Sequence, residues 1–254
     1  MTALAEIVPG VQPYLAVAIA VFLRVGAALA VLPAFGERSV PQRIRLVAAI
    51  AFTVIVLPAA APHFPEEPLG GRAYLTEPLT GLAFGIMIRL TVHALQIAGT
   101  VAAQSTSLSQ MFGNAGTDPM PAIGHVLVVG GLALAVMADL HVRAAQAMIL
   151  TYDIVPPGRL IPSGDLAELG IARIGEAFAL GLALAAPFMI AAFLYNLALG
   201  VINRAMPQLM VTFIGAPAIT AAGLILLALA APLMLQVWLG ALESALEQPF
   251  GMPR

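Results

Sequence analysis

Asp139, His141 and Arg143 place an acid, a titratable ring and a guanidinium within five consecutive residues. Such a set could relay protons, since histidine changes charge near neutral pH and a nearby carboxylate can take the proton up. On a helix, however, only Asp139 and Arg143 share a face. They lie four apart and are expected to pair with each other, while His141, two positions on, points away. A self-satisfied pair near the end of a span is therefore preferred to a relay. Arg24 and Arg89 raise the same question inside long apolar runs. An intramembrane charge costs at least about 2.5–3.5 kcal/mol unless it is paired or faces protein or water. An ion or proton path would account for both. The first and third predicted spans, about Pro13–Leu32 and Leu79–Ser107, hold no acid to alternate with them. A structural pair or an inter-subunit contact is the expected use.

Other chemistry is thin. The four histidines are scattered, without a His or carboxylate partner at helical ligand spacing, so no metal site is expected. All eleven basic residues are arginine, which removes a phosphate-loop lysine and any Schiff base. With no cysteine there is no disulfide, thiolate nucleophile or cysteine metal site. Gly-rich phosphate loops, paired catalytic carboxylates, zincin motifs and nucleophile elbows are absent from the sequence. Neither a cofactor nor an enzyme activity is expected.

The elements that must carry these residues follow from composition. Hydrophobic residues make up 61% of the chain and charged residues 9%. A soluble domain averages roughly 45–50% and 25%, so this chain cannot cover its surface with polar groups. It reads as an all-α integral membrane protein of about six long hydrophobic helices. Isolated spans must satisfy their own backbone, and long unbroken apolar runs argue against a barrel. The first run, Tyr14–Leu32, has no basic region before it and is long enough to remain as a span. A second run covers Leu46–Ala61, with a proline-rich loop over 62–78. The fourth helix is expected over Ala122–Leu150, the fifth over Ile174–Ile202 and the sixth over Leu209–Leu242, with Pro217 and Pro232 as possible kinks. Small residues four apart, as in Gly81/Gly85 and Gly26/Ala30, permit close helix contact.

The net charge of −2 points to no nucleic-acid partner and no polybasic lipid-binding tail. Arginines 38, 43, 45 and 204 fall on one side of six spans and 72, 159, 173 and 254 on the other, four against four. That balance sets no orientation, which is unusual for an ordinary transporter. The segment 109–124 is nearly uncharged and rich in glycine and proline. Met111, Phe112 and Met120 stand there with Gly113, Asn114, Gly116 and Pro119. Adaptable apolar side chains on a glycine backbone suit a yielding seal better than a solvated connector. Farther on, Arg204 is the single charge between Glu176 and Glu243. With Asn203, Pro207 and Gln208 it could mark a helix end, a hairpin tip, a substrate site or a subunit contact.

Three stretches together resemble the FliR family of type III export-gate subunits, whose injectisome counterpart is called SctT. They are "FLRVGAALAVLPAFGERSVPQRIRLVAAIAFTVIVLP" (22–58), "HVRAAQAMILTYDIVPPG" (141–158) and "NLALGVINRAMPQLMVTFIGAPAITAAGLILL" (196–227). The chain departs from the family pattern at Asp139-Leu140, where Asn-Gly is expected. The resemblance implies a single export-gate membrane domain. Its FliP-like part would cover about 1–173, with a pore plug loop at 109–123, and its FliQ-like hairpin and tail about 174–254. It implies FliP-like, FliQ-like and FlhB-like partners, a basal-body ring protein, surrounding lipid, and unfolded flagellar proteins as cargo. The site would be the bacterial inner membrane at the flagellar basal body. The polar group at 203–208 becomes a hairpin tip: Asn203 closing one helix, Pro207 opening the next, Arg204 and Gln208 facing neighbours or the vestibule. The alternative is a small-solute secondary transporter using Arg24, Arg89 and Asp139 around a midplane site. A membrane protease would need paired aspartates or a Ser/His arrangement that the spans lack.

Overall fold

The computed structural model describes residues 2–65, 70–106, 121–206 and 211–251, with side chains over 14–65, 70–105, 121–206 and 218–251. Its elements are helical: α1 (Thr2–Val31), α2 (Gln42–Ala60) with a 3₁₀ turn (Ala61–His63), α3 (Ala73–Thr106), α4 (Ala122–Met137), α5 (Leu140–Ile154), α6 (Ser163–Ala205) and α7 (Val211–Glu247). Five of the helices are long and apolar enough to cross a membrane, and α4 with α5 makes up to six if that bent pair is one span. The expected all-α membrane architecture is what the chain adopts.

Three boundaries differ from the sequence expectation. Helix α3 begins at Ala73, so Pro78 lies inside it rather than ahead of it. Proline removes one helical hydrogen bond, a loss that neighbouring helices can absorb in apolar surroundings. The extension moves Glu77 from a supposed loop into the helix. The predicted fourth helix is two helices, bent by 76° at residues 138–139. Asp139 takes the left-handed conformation there (φ 58°), and its carbonyl, not its side chain, accepts from the Val142 and Arg143 backbone N–H groups at the start of α5. Asn and Gly enter that conformation most readily and Asp less so, so the Asn-Gly expected of the family fits the same bend. Finally, α6 starts at Ser163, and α7 runs through Pro217 and Pro232 without a break.

Two compact units result. Unit 1 comprises Met1–Leu90, Val136–Ile174 and Leu242–Arg254. Its core joins Val21, Val25 and Leu29 of α1, and Leu32 just after it, to Phe84 and Ile88 of α3 and to Leu140 and Tyr152 of α5. Helix α3 lies so close to α1 that a Cβ at Gly81 would strike the Arg24 carbonyl, and one at Gly85 the Val31 side chain. The Gly81/Gly85 repeat therefore does seat one helix on another, whereas Gly26 meets nothing nearer than Ala49 at 4.0 Å. Unit 2 comprises Thr91–Ala135 and Gly175–Ala241. There, Gly99 meets the Gly124 backbone, Gly131 accepts Leu95 and Trp238, and Gly181 lies against Ile97 and the Ala94 carbonyl. Trp238 is fully buried and donates its indole N–H to the Thr91 carbonyl at 2.7 Å.

Candidate functional site

Unit 1 gathers its polar side chains around Arg24. Apolar neighbours exclude water from the node: Arg24 is 2% exposed and Glu77 0%. A charge so placed must be paired and fully hydrogen-bonded. Arg24 Nε donates to Glu77 Oε2 at 2.7 Å and Nη2 to Oε1 at 3.2 Å, a two-pronged contact across α1 and α3. Nη2 also donates to the Val155 carbonyl at 3.0 Å, and Nη1 to the Thr151 carbonyl and hydroxyl at 3.2 and 3.3 Å. All five guanidinium donors are thereby engaged. The Tyr152 ring lies 3.9 Å from the guanidinium carbon, adding a cation–π contact. Glu77 Oε1 accepts a further hydrogen bond from the Gly158 backbone N–H at 3.0 Å. Gly158 sits at φ 75°, which suits glycine. The node thus ties α1, α3, the end of α5 and the following turn into one unit. The Tyr152 hydroxyl is left without a hydrogen-bond partner, but the charged groups of the node, Arg24 and Glu77, are spent on each other and on the backbone.

Arg89 serves a different end. Its Nη1 donates to the Val31 carbonyl at 3.0 Å, capping the C-terminus of α1. It lies 3.5 Å from Glu37 Oε1, a charge contact without a hydrogen bond. Arg45 holds the α1–α2 turn by donating to the carbonyls of Phe35, Glu37 and Val40. Glu77, Glu37 and Arg45 were not singled out from sequence. The signal for Glu77 was a carboxylate within six residues of a helix-compatible apolar run, masked by the proline beside it.

The expected Asp139–Arg143 pair does not form. The bend at 138–139 takes Asp139 off the helical repeat, and Arg143 meets Glu243 at 3.1 Å instead. Asp139 and His141 are both exposed, so no relay is assembled from the three. His93 contacts Gln96 within α3 at 2.6 Å, and His63 reaches Asp153 at 2.8 Å. Among the described residues there is no group of three His, Cys, Asp or Glu able to hold a metal ion.

Asn203 and Arg204 lie in the last turn of α6, both exposed. The helix continues to Ala205, so Asn203 does not end it, and the cationic Arg204 complements the helix's negative end. Pro207 and Gln208 lie outside the described residues, as do Met111, Phe112, Gly113, Asn114, Gly116, Pro119 and Met120 of the predicted plug.

A model of the family described as bacterial export proteins, family 1, matches residues 15–245. The flagellar biosynthetic protein FliR of Caulobacter vibrioides is 34% identical over 228 residues, covering 87% of this chain and 91% of that protein. The proteins of the same name from Escherichia coli and Bacillus subtilis are 29% and 26% identical, over 84% and 82% of this chain and 83% of each relative.

Proposed function

Because the chain belongs to the bacterial export proteins, family 1, and is a subunit of a flagellar protein export apparatus, we propose that it forms part of a channel wall. Unfolded flagellar proteins would cross the bacterial inner membrane through that channel, within the basal body. FliP-like, FliQ-like and FlhB-like subunits and a basal-body ring protein are the proposed neighbours. The chain itself performs no catalysis on the cargo, and the energy is supplied elsewhere.

The observation that carries this reading is the extent of the family match, which takes in every helix from α1 to α7. The exposed faces of α6 and α7 support it. Phe178, Phe193, Leu194 and Val201 on α6, and Leu224, Ile225, Leu229 and Leu233 on α7, are more than half exposed. Contiguous apolar area of this kind needs lipid or neighbouring subunits to cover it. A small-solute site at mid-membrane is disfavoured, because Arg24 has every donor engaged and Asp139 is exposed at a bend.

The proposed plug at 109–123 is tested by deletion. In an assembled apparatus lacking residues 110–120, small-ion conductance across the membrane is expected to rise while assembly persists. Unchanged conductance in an assembled apparatus would remove the plug.

A further inference from the structure

We propose that the exposed face of α2 binds an anionic phospholipid. Its phosphate is held by Arg38 and Arg43, and an acyl chain lies along Val47, Ile50 and Val54. The reading begins with which charges of the α1–α2 turn are already engaged. Arg45 is used by three carbonyls of the turn, and the turn's one acid, Glu37, is drawn to Arg89. Arg38 and Arg43 are exposed and make no side-chain hydrogen bond or ion pair among the described residues. Among the described residues, the turn therefore presents two uncompensated cations on a backbone that Arg45 keeps fixed.

Below them runs an apolar stripe. At 3.6 residues per turn, positions 43, 47, 50 and 54 fall within about 60° of one another on the helix. Val47, Ile50 and Val54 are 66%, 50% and 65% exposed. The rise from 43 to 54 is about 16 Å at about 1.5 Å per residue. One leaflet of hydrocarbon is about 15 Å, half of a core about 30 Å thick. Arg43 thus stands at phosphate level when the stripe spans one leaflet, and α2 is among the helices apolar enough to do so. A neighbouring protein helix could cover the stripe, but it would leave the two cations unmatched unless it carried acids at that height. Charge and length together favour an anionic lipid. The proposal rests on the membrane reading of α2, not on the channel reading.

Native cysteine is absent from the sequence, so a single Ala51→Cys bears a fluorophore beside the stripe. The labelled full chain is reconstituted in phosphatidylcholine vesicles containing brominated-chain phosphatidylglycerol or, separately, the same fraction of brominated-chain phosphatidylcholine. Each arginine near an anionic surface is worth about a fivefold preference. Phosphatidylglycerol should therefore quench with at least about fivefold higher relative affinity, falling toward parity in R38Q/R43Q and surviving in R38K/R43K. The preference should also survive Arg159→Gln, a change at an exposed arginine on another turn. Equal quenching by the two lipids, or a preference that persists in R38Q/R43Q, overturns the site. A fluorophore shielded from both lipids by a co-purifying protein also overturns it and assigns the face to that protein. None of these outcomes depends on export, so failure here leaves the channel reading to its own test.

Discussion

Unit 1 and unit 2 draw on the same apolar residues yet close in different ways. Unit 1 has glycine contacts too, at Gly81 and Gly85 of α3 against α1, and adds polar side-chain links: ion pairs of Arg24 with Glu77 and of Arg143 with Glu243, and a hydrogen bond between His63 and Asp153. Unit 2 closes where glycines let backbones approach, at Gly99 with Gly124, and at Gly131 and Gly181 against side chains of neighbouring helices. The polar links of unit 1 gather where its chain ends and bends fall. Unit 1 contains the α1–α2 turn, the α4–α5 bend and the ends of α5 and α7. Each leaves carbonyls without helical donors. Arginine supplies donors repeatedly: Arg89 at Val31, Arg24 at Thr151 and Val155, Arg45 in the first turn, Arg173 at Gln248 and Gly251. Where helices run past one another without ending, small residues suffice and dispersion holds the contact.

The contrast is broken most severely at Glu77. Glu77→Ala strands Arg24 as a buried unpaired charge and should cost about 3–5 kcal/mol. Thermal unfolding in detergent would register it. Replacing both partners, as Arg24→Met with Glu77→Leu, should recover part of that loss, since it removes the stranded charge but leaves the Val155 carbonyl and the Gly158 N–H without these partners. Equal losses in the single and double variants would show that the charge pair is not what joins α1 to α3.

The glycine contacts of unit 2 should respond to volume. Gly99→Val drives a side chain into the Gly124 backbone and should cost about 1–3 kcal/mol as overpacking. Unfolding temperature unchanged by that variant would contradict the close approach. At the bend, Asp139→Val places a β-branched residue in the left-handed conformation, at a cost of about 1–2 kcal/mol. Asp139→Asn should match or slightly exceed the native stability.

The smallest effect on stability is expected at the end of α6. Arg204→Glu sits on an exposed last turn and should lose only about 0.3–1 kcal/mol through the helix dipole. Membrane insertion should be normal, while assembly or export of flagellar protein fails. Normal export by the variant would remove Arg204 as a contact.

Much of the fold was legible because hydropathy and helix length are local. Apolar runs marked the helices, and three ordered motifs marked the family. The exceptions all involve the reach of local rules. Proline reads as a boundary at Pro78, but α3 runs through it from Ala73, and that hid Glu77. The four-residue spacing of Asp139 and Arg143 presumed one unbroken helix, and a single left-handed residue cancels it.

By itself the sequence determined that the chain is helical and apolar enough for a membrane, and that Arg24 and Arg89 need partners. The penalty for an unpaired charge in hydrocarbon holds wherever the chain folds. Only the tertiary structure decided who the partners are. Arg24 meets residues 53, 127 and 131 positions away, and no sequence spacing encodes a contact made by bringing three helices to one point.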